Sequence, residues 1–165
     1  MILSLAVLGF VTVLRLGELV YARANTKRLL AIGGREVGAG HYPLIVVMHA
    51  AWLIGLWALG WNRAVSLPWL AVFGVIEVLR AWVLLSIGRR WTTRIIIVPG
   101  ETLVRKGPYK FFPHPNYAVV VAELFVLPMV FGLWWFALLF TALNAAVLFI
   151  RIRAENTALE PARST

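Results

Sequence analysis

The sequence predicts an all-α integral membrane protein of about five transmembrane helices, with a helical hairpin at the C-terminal end and one long cytoplasmic loop. Of the 165 residues, 61% are hydrophobic, and the mean hydropathy of +0.84 is typical of membrane proteins. The apolar residues form runs long enough to cross a hydrocarbon core of about 30 Å. Most of the 16 basic residues lie in short clusters beside these runs, as the positive-inside rule expects.

Composition also excludes several kinds of site and partner. The chain has no cysteine, so disulfides, cysteine-bound zinc and thiol nucleophiles are excluded. It has three histidines and no aspartate, and we therefore expect no metal site. The net charge of +9 does not indicate nucleic-acid binding, because the basic residues flank apolar runs and form no basic groove or stacking module.

The apolar runs divide a single predicted domain of residues 1–165 into five spans. As one helix, the final run Tyr117–Ile150 would be about 50 Å long, which is too long for a bilayer. Pro128 and Gly132 interrupt this run, so we expect two helices joined by a tight turn. The predicted spans are residues 2–22, 43–61, 65–87, 115–131 and 133–152.

The order of the basic clusters predicts the orientation. Arg23, Lys27 and Arg28 follow the first span instead of preceding it. This order favours an amino terminus outside and a carboxyl terminus in the cytoplasm. It also argues against a cleaved signal peptide, in which basic residues come before the apolar stretch.

Residues 88–116 form a long segment on the predicted cytoplasmic side. The stretch "RIIIVPGETLV" predicts two short β-like runs around a turn at Pro99 and Gly100. The other predicted loops are short, and long loops in compact domains tend to be functional. We therefore expect this segment to take part in binding.

Several ionisable residues lie inside the predicted spans, where charges are costly and usually paired. Arg15 and Glu18 are three residues apart, as are Glu77 and Arg80, and both spacings predict ion pairs within one helix. Glu123 has no obvious local partner. It either shares a cavity with His114 or hydrogen-bonds to a neighbouring helix.

Two further histidines have no assigned role. His49 lies in the middle of the second span, where a histidine bonded within the core is the simpler interpretation and a ligand is the alternative. His41 stands in the Gly-rich connector "GGREVGAGHYP", and the sequence does not decide whether it lies near a site.

The stretch "GPYKFFPHPNY", directly before the fourth span, concentrates polar and aromatic side chains. Pro115 suits the first turn of a helix, which places His114 at the helix cap, and Gly107 allows close backbone approach. Together with Tyr109, Asn116 and Tyr117, these residues could hold an amphipathic, nitrogen-rich small molecule. The alternative is a proline-stiffened re-entry turn with aromatic interface anchors.

Arg151 and Glu155 form the second candidate group. They are four residues apart and so share one face of a helix that leaves the last span. An arginine at this boundary can clamp a carboxylate or phosphate. It can equally be a snorkelling anchor paired with a surface glutamate.

Taken together, "LVRKGPYKFFPHPNY", an apolar hairpin and "RIRAENTAL" resemble the isoprenylcysteine carboxyl methyltransferase family, in particular its short bacterial members. The family pattern has G-P-Y, then R-H-P-x-Y, a hairpin, and R-x-x-x-E-E-x-x-L, and the match covers residues 94–159. The resemblance implies an S-adenosylmethionine-dependent methyltransferase of the bacterial inner membrane. It also implies a cofactor enclosed by residues 94–117 and 151–159, and an acceptor that enters from the bilayer.

Carried over by position, the resemblance implies Arg151 and Glu155 as catalytic residues. The resemblance also implies a set of cofactor-binding residues, to which we add the neighbouring Asn116. The set is Val104, Arg105, Lys106, Gly107, Tyr109, His114, Pro115, Asn116 and Tyr117.

The chain departs from the family pattern at three positions. Pro113 replaces the usual arginine, Val119 stands where a glycine is common, and Asn156 replaces the second glutamate. Because the last change removes a carboxylate near the reacting groups, we expect O-methylation of a lipidic phenol or pyrone first. A prenylcysteine carboxylate is the second expected acceptor, and a phospholipid amine is the third.

Two other functional classes remain open at this stage. One is an NADPH-dependent membrane reductase of the steroid-reductase type, which has a similar C-terminal cofactor region. The other is a non-catalytic membrane scaffold. The expected partners are a lipophilic acceptor and membrane lipid, and the sequence does not indicate an oligomeric state.

Overall fold

The structure, a computed structural model, describes residues 1–102 and 104–163. Within these residues it contains five α-helices and a two-stranded antiparallel ribbon, which confirms the predicted all-α class. The helices are α1 (Ile2–Ala31), α2 (Tyr42–Gly60), α3 (Leu67–Ile87), α4 (Pro115–Val130) and α5 (Trp134–Arg163). The strands are β1 (Arg35–Val37) and β2 (Ile95–Ile97).

Four of these helices, α1, α2, α3 and α5, are long and apolar enough to cross a membrane. The fifth, α4, is apolar but has only 16 residues. Large apolar side chains such as Val13, Ile54 and Leu85 are exposed on the outside of the bundle. Lipid covers such side chains in an integral membrane protein.

The predicted C-terminal hairpin is confirmed. The backbone N–H groups of Phe131 and Leu133 each donate to the carbonyl oxygen of Pro128 at 3.0 Å. Gly132 lies between them at φ +69, a conformation that glycine adopts without steric cost. The turn therefore folds α5 back along α4.

Two helix ends differ from the predicted spans. The first helix continues to Ala31 instead of ending at residue 22, and the last continues to Arg163 instead of residue 152. Hydropathy locates the end of an apolar run, whereas a helix continues while its residues favour helix. The segment "ARANTKRLLA" contains no glycine or proline, so α1 extends past the end of the apolar run. The single-domain prediction for residues 1–165 stays a prediction, and residues 103, 164 and 165 lie outside the described part.

The predicted pair of β-like runs around Pro99 and Gly100 is only partly correct. Ile95–Ile97 is a strand, but its partner is Arg35–Val37 from the first connector, with Arg35 opposite Ile97. An ion pair between Arg94 and Glu36 at 2.7 Å supports this pairing. The ribbon therefore joins the connector between α1 and α2 to the connector between α3 and α4, and it packs against α5.

A membrane-embedded network of five charged side chains joins α1, α3 and α4. Arg15 pairs with Glu18 at 2.8 Å and with Glu77 at 2.9 Å. Arg80 pairs with Glu18 at 2.5 Å and with Glu123 at 2.8 Å. Arg15 also contacts Glu123 at 3.4 Å. We call these five residues the membrane-embedded network.

The network tests the predictions for these charges. The predicted ion pair between Arg15 and Glu18 is confirmed. The prediction of an ion pair between Glu77 and Arg80 is wrong. These two side chains bond to other helices, because carboxylates and guanidinium groups from α1 and α4 face them across the bundle. Glu123 bonds to neighbouring helices, which resolves the alternative left by the sequence.

Candidate active site at the mouth of the bundle

The candidate site lies where the start of α4 meets the end of α5. Pro115 occupies the first turn of α4, and His114 is its N-terminal cap residue, as the sequence predicts. A short 3₁₀ turn, Gly107–Lys110, precedes this point. The chain therefore enters the bundle, at the start of α4, close to the point near Arg151 where α5 leaves the bundle.

Five polar side chains form a connected group here, which we call the mouth cluster: His114, Tyr117, Arg151, Glu155 and Asn156. The Tyr117 hydroxyl donates to Glu155 Oε2 at 2.5 Å and accepts from Arg151 Nε at 2.8 Å. The His114 ring stacks on the Tyr117 ring at 5.3 Å and 17°. Its Nε2 lies 3.3 Å from Asn156 Oδ1, and its Nδ1 lies 3.5 Å from Glu155 Oε2.

Helical spacing explains why α5 supplies this combination. Arg151 and Glu155 are four residues apart and face α4, and Arg151 is only 7% exposed. Arg153 lies on another face, is exposed, and stacks over the Phe149 ring at 4.2 Å. His114 and Tyr117 from the first candidate group therefore join Arg151 and Glu155 from the second in one cluster.

Arg151 retains binding capacity in this arrangement. Among the described residues, only its Nε forms a hydrogen bond, which goes to Tyr117. The terminal nitrogens of the guanidinium are the ones that bind a carboxylate or phosphate bidentately. A nearly buried cation whose terminal nitrogens have no protein partner in the described part is suited to an anionic oxygen.

Tyr109 lies on the edge of the mouth cluster. Burial of its ring, together with the negative charge of Glu155, raises the pKa of Tyr109 to about 12. Its phenol therefore stays protonated at neutral pH and can donate a hydrogen bond.

Several predicted cofactor-binding residues lie outside the mouth cluster. Gly107 has φ +52, and a Cβ there would collide with Ser86. The close approach that we expected at Gly107 is therefore made to α3, not to an open site. Three others lie on the segment leading to this turn, with the two basic side chains exposed and the apolar one half-buried: Val104, Arg105 and Lys106.

Asn116 also has a contact away from the mouth cluster. Its Oδ1 accepts from Trp91 Nε1 at 3.2 Å, and the Trp91 carbonyl accepts from Asn25 Nδ2 at 2.8 Å. This chain of bonds ties the extension of α1 to the start of α4. Asn116 therefore stabilises the position of α4, and its cofactor role stays a prediction.

Sequence reasoning missed the wall that the β ribbon adds beside the site. Arg94 stacks over the Tyr42 ring at 4.4 Å, and the turn Ala39–His41 contacts α5. A crevice of about 310 Å³ separates the ribbon from α5. It is lined by Arg35, Glu36, Val37, Ile97 and Ala158. No local pattern indicates this wall, because it depends on pairing between segments far apart in the chain.

Known proteins resemble this chain over most of its length. The model of the isoprenylcysteine carboxyl methyltransferase (ICMT) family matches residues 69–161. The uncharacterized protein YpbQ of Bacillus subtilis is 40% identical over 158 residues, covering 93% of this chain and 94% of that protein. An uncharacterized protein of Haemophilus influenzae is 23% identical over 141 residues, covering 82% of each. No solved structure matches the chain.

The family match includes most of α3, all of α4, most of α5 and every residue of the mouth cluster. The resemblance inferred from the sequence motifs is therefore confirmed, and the family is one of membrane methyltransferases that use S-adenosylmethionine. The chain belongs to the isoprenylcysteine carboxyl methyltransferase family.

Proposed function

We propose that the protein methylates an oxygen of a lipophilic acceptor, with S-adenosylmethionine as methyl donor, at the mouth of the helical bundle. The observation that carries this proposal is the bonding of Arg151. Its Nε is held by Tyr117, Tyr117 is held by Glu155, and its terminal nitrogens have no partner among the described residues. This arrangement presents a fixed cation at the end of an apolar bundle.

The donor set of the mouth cluster fits the cofactor. S-adenosylmethionine carries a sulfonium cation, an amino group and a carboxylate. Glu155 and the stacked rings of His114 and Tyr117 offer negative charge and π faces to the cations. Tyr109 offers a protonated phenol. When bound, the cofactor supplies an electrophilic methyl group.

The protein's own residues position and activate the acceptor. Arg151 would hold an anionic oxygen and keep it in line for displacement, which is a matter of alignment more than of basicity. For a phenol or enol, the same guanidinium would lower the pKa of the acceptor and favour its charged form. Glu155 holds Tyr117, and Tyr117 holds Arg151, so both act as positioning residues for this cation.

The acceptor class that we favour follows from Asn156. The family pattern has a second carboxylate at this position, whereas Asn156 has an amide oxygen that contacts His114. One carboxylate fewer at the mouth suits an acceptor other than prenylcysteine. We therefore propose a lipidic phenol or pyrone, with its tail between the helices, ahead of a prenylcysteine carboxylate and a phospholipid amine.

The proposed site faces the cytoplasm of a bacterium. Basic residues lie on the same side of the bundle as the mouth cluster: Arg23, Lys27 and Arg28 on the extension of α1, and Arg94 directly before β2. The positive-inside rule assigns this side to the cytoplasm. The amino terminus would then be outside and the carboxyl terminus inside, in the inner membrane.

Calorimetric titration of the purified protein in nanodiscs tests the cofactor. We expect saturable heat with S-adenosylmethionine, none with NADPH, and affinity weakened about tenfold in Glu155→Gln, because a charge-assisted contact is lost. Glu101→Gln is the matched control, since Glu101 pairs with Arg90 outside the cluster. Heat with NADPH and none with S-adenosylmethionine would support a reductase and contradict the proposal.

A further inference from the structure

A second crevice lies between α1 and α3, at the end of the bundle opposite the mouth cluster. Its volume is about 470 Å³, within the range of ligand pockets, which is roughly 300–1,000 Å³. Phe10 lines it from α1, and Phe73 and Gly74 line it from α3. Among the described residues that line it, Glu77 alone is charged. The crevice is therefore an apolar slot that ends at a carboxylate.

Glu77 is the least compensated carboxylate of the membrane-embedded network. Glu18 and Glu123 each contact both arginines, whereas Glu77 contacts only Arg15. Arg15 is itself shared among three carboxylates. Glu77 therefore receives the smallest share of positive charge while it lines an open crevice.

The charge balance of the network points the same way. Two guanidinium groups face three carboxylates, which leaves one negative charge over. His49, the nearby titratable group on α2, bonds through Nδ1 to the Ile45 carbonyl of its own helix and adds no positive charge while neutral. An uncompensated charge at this depth is costly, and a bound cation would remove the cost.

We propose that this crevice binds an amphiphilic monocation, with its cationic head against Glu77 and its hydrocarbon tail along Phe10 and Phe73. Charge complementarity selects the head, since a carboxylate attracts a cation strongly where water is excluded. The two aromatic rings fit the tail and can also face the head. This site is separate from the mouth cluster and does not depend on the proposed methyl transfer.

Thermal unfolding of the full chain in zwitterionic nanodiscs tests the site. Dodecylammonium is the probe, and dodecanol is the neutral amphiphile of the same length. A ligand that binds the folded state raises the Tm in proportion to its occupancy. We expect a saturable rise in Tm with dodecylammonium and a much smaller, non-saturable change with dodecanol.

Two variants separate the charge from the shape of the crevice. Glu77→Gln keeps the size of the side chain and removes its charge. Gly74→Leu fills the crevice and leaves the charges intact, because a Cβ at Gly74 meets no atom within 4 Å. We expect each variant to raise the apparent Kd for dodecylammonium at least tenfold. Glu36→Gln, an equal loss of charge on the ribbon, should leave the Kd unchanged.

Three results would overturn the proposal. A wild-type protein without saturable stabilisation by dodecylammonium would mean that the crevice does not bind an amphiphilic monocation. Equal stabilisation by dodecanol would mean that the crevice accepts any hydrocarbon chain. Binding unchanged in both Glu77→Gln and Gly74→Leu would place the cation elsewhere. If Glu77→Gln does not fold, Gly74→Leu still decides the location.

Discussion

The protein holds two polar clusters in an apolar bundle, and they differ in how their charges are used. In the membrane-embedded network, each charged group faces an oppositely charged group on the same or another helix. In the mouth cluster, Arg151 is bonded to a neutral phenol, and Glu155 accepts from that same phenol. Most charges of the network are used in contacts between helices, whereas our proposal assigns the cation of the mouth cluster to a ligand.

The difference shows how a membrane protein can use one set of charges to hold its helices together and another set to bind a ligand. Buried ion pairs are costly to break, because one partner is then left as an uncompensated charge. A site that binds substrate needs the reverse, namely charges oriented by neutral groups and accessible to a ligand. Tyr117 supplies this orientation from the first turn of α4, through its bonds to Arg151 and Glu155.

The largest expected effect is the loss of stability when the network loses a cation. Arg80→Ala leaves Glu18 and Glu123 short of positive charge, and we expect the free energy of unfolding to fall by about 3–5 kcal/mol. Unfolding in mixed micelles measures this change. Arg90→Ala breaks an exposed pair with Glu101 at 3.1 Å and should cost no more than about 1 kcal/mol. Equal losses in the two variants would contradict the comparison.

Removal of the mouth cation should affect rate instead of stability. Arg151→Ala removes the group that would align the acceptor, and we expect kcat/KM for methyl transfer to fall on the order of 10²-fold. The unfolding profile should stay close to that of the wild type. Arg153→Ala is the matched control, because Arg153 lies outside the cluster on an exposed face, and its rate should stay within about twofold.

Loss of the linking hydroxyl should have a smaller effect. Tyr117→Phe keeps the ring that stacks on His114 and removes the bonds to Arg151 and Glu155. We expect about a tenfold loss in kcat/KM, which corresponds to the lower end of the roughly 1.5–3 kcal/mol that a hydrogen bond to a charged group contributes. Tyr21→Phe, which stacks on Trp91 away from the cluster, should have no measurable effect on rate. An unchanged rate in Tyr117→Phe would remove the positioning role.

The smallest effect concerns alkaline pH. The pKa of Tyr109 is about 12 in the folded protein, against about 10 for an exposed tyrosine. Between these pH values the unfolded chain loses this proton while the folded protein keeps it, so stability falls as pH rises. We expect the Tm of the wild type to drop a few degrees more than that of Tyr109→Phe over this interval. Parallel Tm profiles would show that burial and the charge of Glu155 do not raise the pKa of Tyr109.

The sequence predicted those features that depend on spacing along one segment. The positions of Pro128 and Gly132 located the hairpin turn, Pro115 placed His114 at a helix cap, and the spacing of Arg151 and Glu155 placed them on one face. These features are local, since each depends on neighbours within a few residues. The two motifs that contribute to the candidate site, the stretch before α4 and the spacing of Arg151 and Glu155, could therefore be found from the sequence. The structure shows that they are in contact.

Features that depend on which segments become neighbours were not predictable. The partner of Ile95–Ile97 lies about sixty residues away in Arg35–Val37, and no local signal identifies it. Likewise, Glu77 and Arg80 have the spacing of an intrahelical pair, but the packing of three helices supplies other partners. Spacing lists which contacts are possible within a helix, and packing decides which contacts form.

Transfer of a labelled methyl group tests the central claim most directly. The full chain in nanodiscs is incubated with methyl-labelled S-adenosylmethionine and a bacterial membrane-lipid extract, and the labelled product is identified by mass spectrometry. We predict a lipid-soluble product methylated on oxygen, formed by the wild type and by Arg153→Ala, and about 10²-fold more slowly by Arg151→Ala. A product that forms equally fast in all three proteins, or no lipid-soluble product from any extract, would contradict the account.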